Sequence, residues 1–141
     1  MLQRKIVDAS VWIGWLDASD FFHSTCRSFF EEVSRTRETQ IVVPIHLLFE
    51  VNAKIRAKKR VGNFLSLAPF EAHGPEFYAI DSMFLKTCQD KNIWDIFSVP
   101  GVGSQDLIYA AISFIENIPL VTTDRKMADA IATKIKIELL S

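Results

Sequence analysis

This 141-residue sequence is poor in cysteine, with only Cys26 and Cys88. The pair forms no disulfide framework and has no metal-ligand spacing, so a reducing, cytoplasmic setting is expected. No apolar run approaches the roughly 20 residues that a membrane-spanning helix needs. Positive charge is not in excess either: 16 Lys and Arg stand against 17 Asp and Glu, for a net charge of −1. A nucleic-acid partner would therefore be met by a local basic patch and by metal ions, since no general basic field exists. Met1-Leu2-Gln3-Arg4-Lys5 runs straight into an apolar segment, leaving no room for a signal peptide. Internal repeats, low-complexity tracts and linkers are also lacking. What is abundant is apolar side chain, 49% of the residues. That excludes a disordered chain and leads us to expect a single domain over residues 1–141 with a real core.

Ile6-Val7-Asp8-Ala9-Ser10 organises the rest. An apolar strand pattern meets one acid, and Ser10 is placed to cap a helix over 10–18 that carries Val11, Trp12, Ile13, Trp15 and Leu16. A second helix is expected over 21–37, with Phe22, Cys26, Phe29, Phe30 and Val33 on one face and His23 beside them as a surface or packing residue. Ile41-Val42-Val43 is a short buried strand closed by Pro44, before a helix over 45–60. That helix has Leu47, Leu48, Val51 and Ile55 on its apolar face, Glu50 at its edge, and a basic end (Lys54, Arg56, Lys58, Lys59, Arg60) suited to the helix dipole. Residues 61–76 mix a short helical pattern (Phe64, Leu65, Leu67, Phe70) with Pro69, Gly74 and Pro75. A strand at 77–80, a helix over 82–91 and a long connection from Ile93 to Gly103 follow. Ser104 is then placed to cap a helix over 105–117, in which Asp106, Ala110, Ser113 and Asn117 form a narrow stripe apart from the apolar residues. A strand at 120–123, a helix over 125–133 and a last strand from Ile135 to Leu140 complete the chain. Strands alternating with helices predict an α/β sandwich around a parallel sheet.

Four acids stand out: Asp8, Glu50, Asp106 and Asp124. Each has an ordinary explanation alone. Asp8 and Asp124 can cap helices, Asp106 suits a first helical turn, and Glu50 can pair with Lys54 one turn on. As a set they say more, because three of the four fall at a strand end or helix start, where parallel sheets gather ligands. Crowded carboxylates repel one another unless cations compensate them. Oxygen ligands without a matching His or Cys set favour a hard ion, Mg²⁺ or Mn²⁺. Such an ion activates water and orients a phosphodiester for attack.

Four segments carry a family resemblance. They are Ile6-Val7-Asp8-Ala9-Ser10-Val11, Pro44 to Ile55 around Glu50, Ser104-Gln105-Asp106-Leu107-Ile108-Tyr109-Ala110-Ala111, and Leu120-Val121-Thr122-Thr123-Asp124-Arg125-Lys126-Met127. In this order and spacing the chain resembles the PIN-domain nucleases, particularly VapC-like toxins of toxin–antitoxin pairs. The resemblance implies a three-layer α/β/α sandwich with a central parallel sheet and Mg²⁺- or Mn²⁺-dependent endoribonuclease activity. It also implies an RNA substrate, an antitoxin protein as partner, and a homodimer. Carried onto this chain, Asp8, Glu50, Asp106 and Asp124 form the acidic, metal-binding site. Asp8 and Asp106 are the direct ligands of first choice, and Ser10 and Thr122 are hydroxyls that support the acids. Lys54 and Arg125 are candidates for the scissile phosphate. Phe64 to Gly103 matches no family motif, and the last motif supplies one acid where some relatives supply two, Asp129 lying a turn further on. The alternative is an inactive PIN-like module that binds RNA or protein. Trp12, Trp15 and Trp94 read first as core residues and second as a surface for a dimer or an antitoxin. A phosphatase with Asp8 as nucleophile would want a second aspartate at position 10, where Ser10 stands.

Overall fold

A computed structural model describes residues 2–59 and 68–141, with the side chains of 58–69 outside the description. The basic end at Lys58 to Arg60 and the pattern Phe64-Leu65-Leu67 lie outside the described residues.

Five parallel strands form one sheet in the order β3-β2-β1-β4-β5. They are β1 (Gln3–Val7), β2 (Thr39–Pro44), β3 (Glu76–Tyr78), β4 (Leu120–Thr122) and β5 (Ile137–Leu139). The central strands are apolar on both faces. Ile6 and Val7, Ile41 to Val43, and Leu120 and Val121 are all fully buried, as expected of a parallel sheet covered on both sides. Register is fixed at β1, where Ile6 lies opposite Val42 on one side and Leu120 on the other. Ile6 to Val121 thus supply the middle layer of an α/β sandwich, as the sequence pattern predicts.

The helices cover the sheet in two groups. On one side α1 (Ala9–Leu16), α2 (His23–Thr36) and α3 (Leu47–Lys59) pack together, and α4 (Ala68–Glu71) places Phe70 against Trp12. The other group is α5 (Ser82–Asp90), α6 (Ile93–Phe97) and α7 (Ser104–Glu116). Nearby, α8 (Arg125–Ile131) brings Ala130 to the loop that precedes α7. In α2, Cys26, Phe30 and Val33 are buried at helical spacing. The opposite face carries exposed ion pairs, Arg27 with Glu31 and Arg35 with Glu32, at 2.9 and 2.7 Å. Exposed pairs of this kind contribute little; the apolar stripe holds the helix. Gly14 lets α1 and α2 approach closely, because a Cβ there would lie 2.5 Å from Cys26 Sγ.

Several local expectations are corrected. The first helix is capped by Asp8, whose carboxylate accepts from Ser10 N–H, so Ser10 lies inside the helix. Ser104 is likewise the first helical residue, with Gly103 at the cap and Asp106 accepting from Gly103 N–H at 3.2 Å. The connection from Ile93 to Gly103 contains α6, with Ile93 and Phe97 buried. The small-residue stripe of α7 faces inward: Ala110 and Ser113 are buried, while Leu107, Ile108, Phe114 and Ile115 are only partly covered. Of the tryptophans, Trp12 is wholly buried, Trp15 half-buried, and Trp94 is 43% exposed. His23 packs as expected, with Nδ1 2.8 Å from the Gly14 carbonyl.

Candidate active site

The chain winds β1, β2, β3 outward in one direction and then returns to lay β4 and β5 on the other edge of β1. The β1–β4 junction is therefore where the winding reverses, the place where open parallel sheets form a crevice beyond their carboxyl ends. Asp8 follows β1 there and Asp124 follows β4, two residues beyond Thr122. Glu50 comes from α3 after β2, and Asp106 from the first turn of α7.

Asp8 is the centre of the arrangement and only 3% exposed. Its Oδ1 accepts from Ser10 N–H at 3.0 Å and from Ser10 Oγ at 2.5 Å; its Oδ2 accepts from Thr122 Oγ1 at 2.5 Å. The same hydroxyls serve the next loop: Ser10 Oγ accepts from Thr123 N–H (3.2 Å) and Thr122 Oγ1 from Asp124 N–H (3.0 Å). Asp8 and the β4–α8 turn are thus bound into one hydrogen-bonded unit. Asp124 in turn caps α8 by accepting from Met127 N–H at 3.0 Å.

Burial pushes the Asp8 carboxyl up to about 6, and nearby Asp106 pushes the same way, while the Ser10 and Thr122 hydroxyls act against it. The Asp106 carboxyl is also raised, first by burial and then by Asp124; Gly103 N–H and Lys54 oppose this. Beyond burial, Asp106 thus acts on Asp8, and Asp124 on Asp106, each disfavouring the neighbour's charge. Lys54 is the cation within electrostatic reach of Asp106.

Glu50 is held differently. It is 7% exposed, and its Oε1 accepts from the buried Tyr109 hydroxyl at 2.9 Å. Burial, helped by Glu50 and Asp8, raises the Tyr109 phenol, so Tyr109 stays protonated and donates. Tyr109 is a residue that the sequence reading missed. Its signal lay in its position, three residues after Asp106 on the same helix, and in a buried phenol's need for a partner. His46 was missed as well. It stands four residues before Glu50 with its ring centroid 6.2 Å from that of Tyr109.

Among the described residues no three Asp, Glu, His or Cys side chains converge as a ready-made ion cage. The donor set nonetheless fits magnesium or manganese. Magnesium commonly rests on one or two carboxylates and completes its shell with water and substrate phosphate. A cation beside Asp8 and Asp106 would also offset the cost of their charge, which comes first from burial and then from neighbouring acids.

A family model for the PIN domain matches residues 5–132. The chain belongs to the PIN-domain family. Comparison with curated proteins gives no significant match. Two solved structures share the PIN fold with this chain. The first is VapBC2 from Rickettsia felis bound to a DNA fragment from its promoter, with TM-score 0.70 and 16% identity over 99% of this chain and 100% of the other. The second is VapC20 from Mycobacterium tuberculosis, a toxin that cleaves the sarcin–ricin loop, with TM-score 0.62 and 15% identity over 89% and 94% of the two chains. The PIN fold accounts for the parallel sheet and its covering helices.

Proposed function

We propose that this PIN domain is a metal-dependent endoribonuclease, acting as the toxin of a toxin–antitoxin pair in the cytoplasm. The observation that carries the reading is the Asp8 arrangement. A buried carboxylate is fixed by two hydroxyls at the winding reversal and coupled through Asp106 to Asp124. Holding like charges together in a buried place is costly, and it makes sense where a divalent cation and a phosphodiester bind. The cleaving toxin among its structural relatives supports RNA as the substrate, and the VapBC2 complex supports an antitoxin as partner.

In this reading Asp8 and Asp106 would hold Mg²⁺ or Mn²⁺, and Glu50 and Asp124 would support the site directly or through water. The bound ion supplies Lewis acidity and a water of lowered pKa. Ser10 and Thr122 keep both Asp8 oxygens oriented. Tyr109 holds Glu50 in one rotamer, from which its carboxylate accepts a proton from the attacking water. Lys54, close enough to Asp106 to lower its carboxyl, offers positive charge to a phosphate.

The test is incubation of a mixed RNA pool with purified protein in Mn²⁺, Mg²⁺ or EDTA, beside Asp106→Asn. Metal-dependent cuts that vanish in the variant are expected. Cleavage that persists in EDTA or in Asp106→Asn would overturn the reading.

A further inference from the structure

A cavity of about 470 Å³ adjoins the acids, within the size range of small-ligand sites, about 300–1,000 Å³. One wall is shared with the acidic site, because Ser10, which donates to Asp8, and Thr123, which donates to Ser10, both line it. Ile13, Phe22 and Ala57 supply apolar surface, Lys54 brings a cation to the same space, and Asp20, whose Oδ1 accepts from Phe22 N–H, adds a carboxylate. An apolar slot between a cation and a carboxylate cluster suits a group that is flat and uncharged but attached to a charged backbone. Phe22 begins α2 from a non-helical position, and Phe21 beside it is 91% exposed. The two rings meet edge to face, 5.0 Å apart at 83°. Phe21 thus stands in solvent beside a ring that lines the cavity, where it is free to stack on a ligand.

We propose that this cavity is a subsite for one unpaired nucleobase, with Phe22 as its stacking residue and Phe21 extending the platform outward. The inference rests on the reading of the acids as a phosphodiester-cleaving centre. It adds that the strand must be single, because a base enters the cavity only when released from its pair and its stack. Ser10 then links the two functions, orienting Asp8 on one side and bounding the base on the other. Lys54 stands where the phosphate joining base and acids would pass.

The experiment is fluorescence anisotropy of a short, labelled single-stranded RNA in EDTA and again in Ca²⁺, which reads binding without needing cleavage. Phe22→Ala is expected to weaken binding by about 5- to 150-fold, the range for loss of one stacked base. Because Phe22 also packs against the core, Ala57→Trp is the second variant; it fills the cavity from α3 and is expected to weaken binding similarly. An oligonucleotide with one abasic position should lose as much against the unmodified protein and nothing further against Phe22→Ala. A duplex of the same sequence should compete poorly. Unchanged affinity in both folded variants, indifference to the abasic position, equal competition by duplex, or no binding at all would overturn the subsite. Base-dependent binding without cleavage would sink the nuclease reading and leave the subsite standing. Cleavage with indifference to Phe22 and to the abasic position would do the reverse.

Discussion

Tyr109 donates its phenolic hydrogen to Glu50 Oε1 at 2.9 Å, tying α7 to α3 in the buried region behind the acids. The bond crosses 59 residues of sequence and joins the two helices that deliver Asp106 and Glu50. Tyr109→Phe leaves a buried carboxylate short of a donor, a loss of about 1.5–3 kcal/mol for a hydrogen bond to a charged group. We expect a stability loss of that size in urea unfolding. It should shrink when Glu50 is replaced by Met in the same chain, since a coupled pair is not additive. Equal losses in both backgrounds would show that Glu50 is not the partner that matters.

The raised Asp8 carboxyl fixes a sign for pH. Its folded value of about 6 lies above the ordinary 3.8, so the folded protein binds this proton more tightly than the unfolded chain. Asp8 therefore costs no stability when protonated, and the cost grows as pH rises between those two values. At about 1.4 kcal/mol per unit, the full penalty near neutrality is about 3 kcal/mol. Asp8→Asn keeps the shape and loses the charge. In EDTA it should equal the parent protein near pH 4 and exceed it by about that amount near pH 7.5. A difference that does not change with pH would refute the assignment. His46 and His73, both lowered by burial, contribute in the opposite direction and cancel in this comparison.

Divalent cations should stabilise the fold through the same carboxylates. At about 100 times the dissociation constant the linkage is about 2.7 kcal/mol. Mn²⁺ is expected to raise the melting temperature of the parent protein by several degrees and that of Asp106→Asn hardly at all. An equal rise in both proteins would place the ion elsewhere.

Gly14 offers a test of packing away from the acids. Alanine there would gain helix propensity, about 1 kcal/mol, but its Cβ would stand 2.5 Å from Cys26 Sγ. Overpacking of this kind costs about 1–3 kcal/mol, so Gly14→Ala should destabilise on balance. Measured against Cys26→Ala alone, the added Gly14→Ala should cost much less, because the sulfur is gone. A full cost in both backgrounds would implicate the α1 backbone and not Cys26.

Much of this was legible in the sequence, and the reasons differ by residue. Ile6-Val7, Ile41 to Val43 and Leu120-Val121 read as buried strands because their patterns are apolar without alternation, as two-sided burial requires. The Phe22 to Val33 period gave α2 its length and its inward face. The five-residue helix Ile93–Phe97 is too short to display a helical period, so it reads as a loop. Caps were misassigned at Ser10 and Ser104 because a serine before a helix is a good cap, whereas here an aspartate and a glycine lie one or two residues earlier. Within the site, strand ends placed Asp8 and Asp124 correctly at the crevice. The partners Tyr109 and Phe22 were hidden among core residues, since only the fold distinguishes a phenol facing Glu50, or a ring lining a cavity, from ordinary packing.

The strand order has a consequence for biosynthesis. Asp8 leaves the ribosome well before its partner, because the hydroxyl that fixes its Oδ2 lies 114 residues later in the chain. β1 holds the middle of the sheet, and its second edge stays empty until β4 has been made. A nascent chain thus carries Asp8 and Glu50, and more briefly Asp106, before the strand that completes their setting has been made. A chain that stops before Thr122 lacks both a complete β4 and the hydroxyl that holds Asp8 Oδ2.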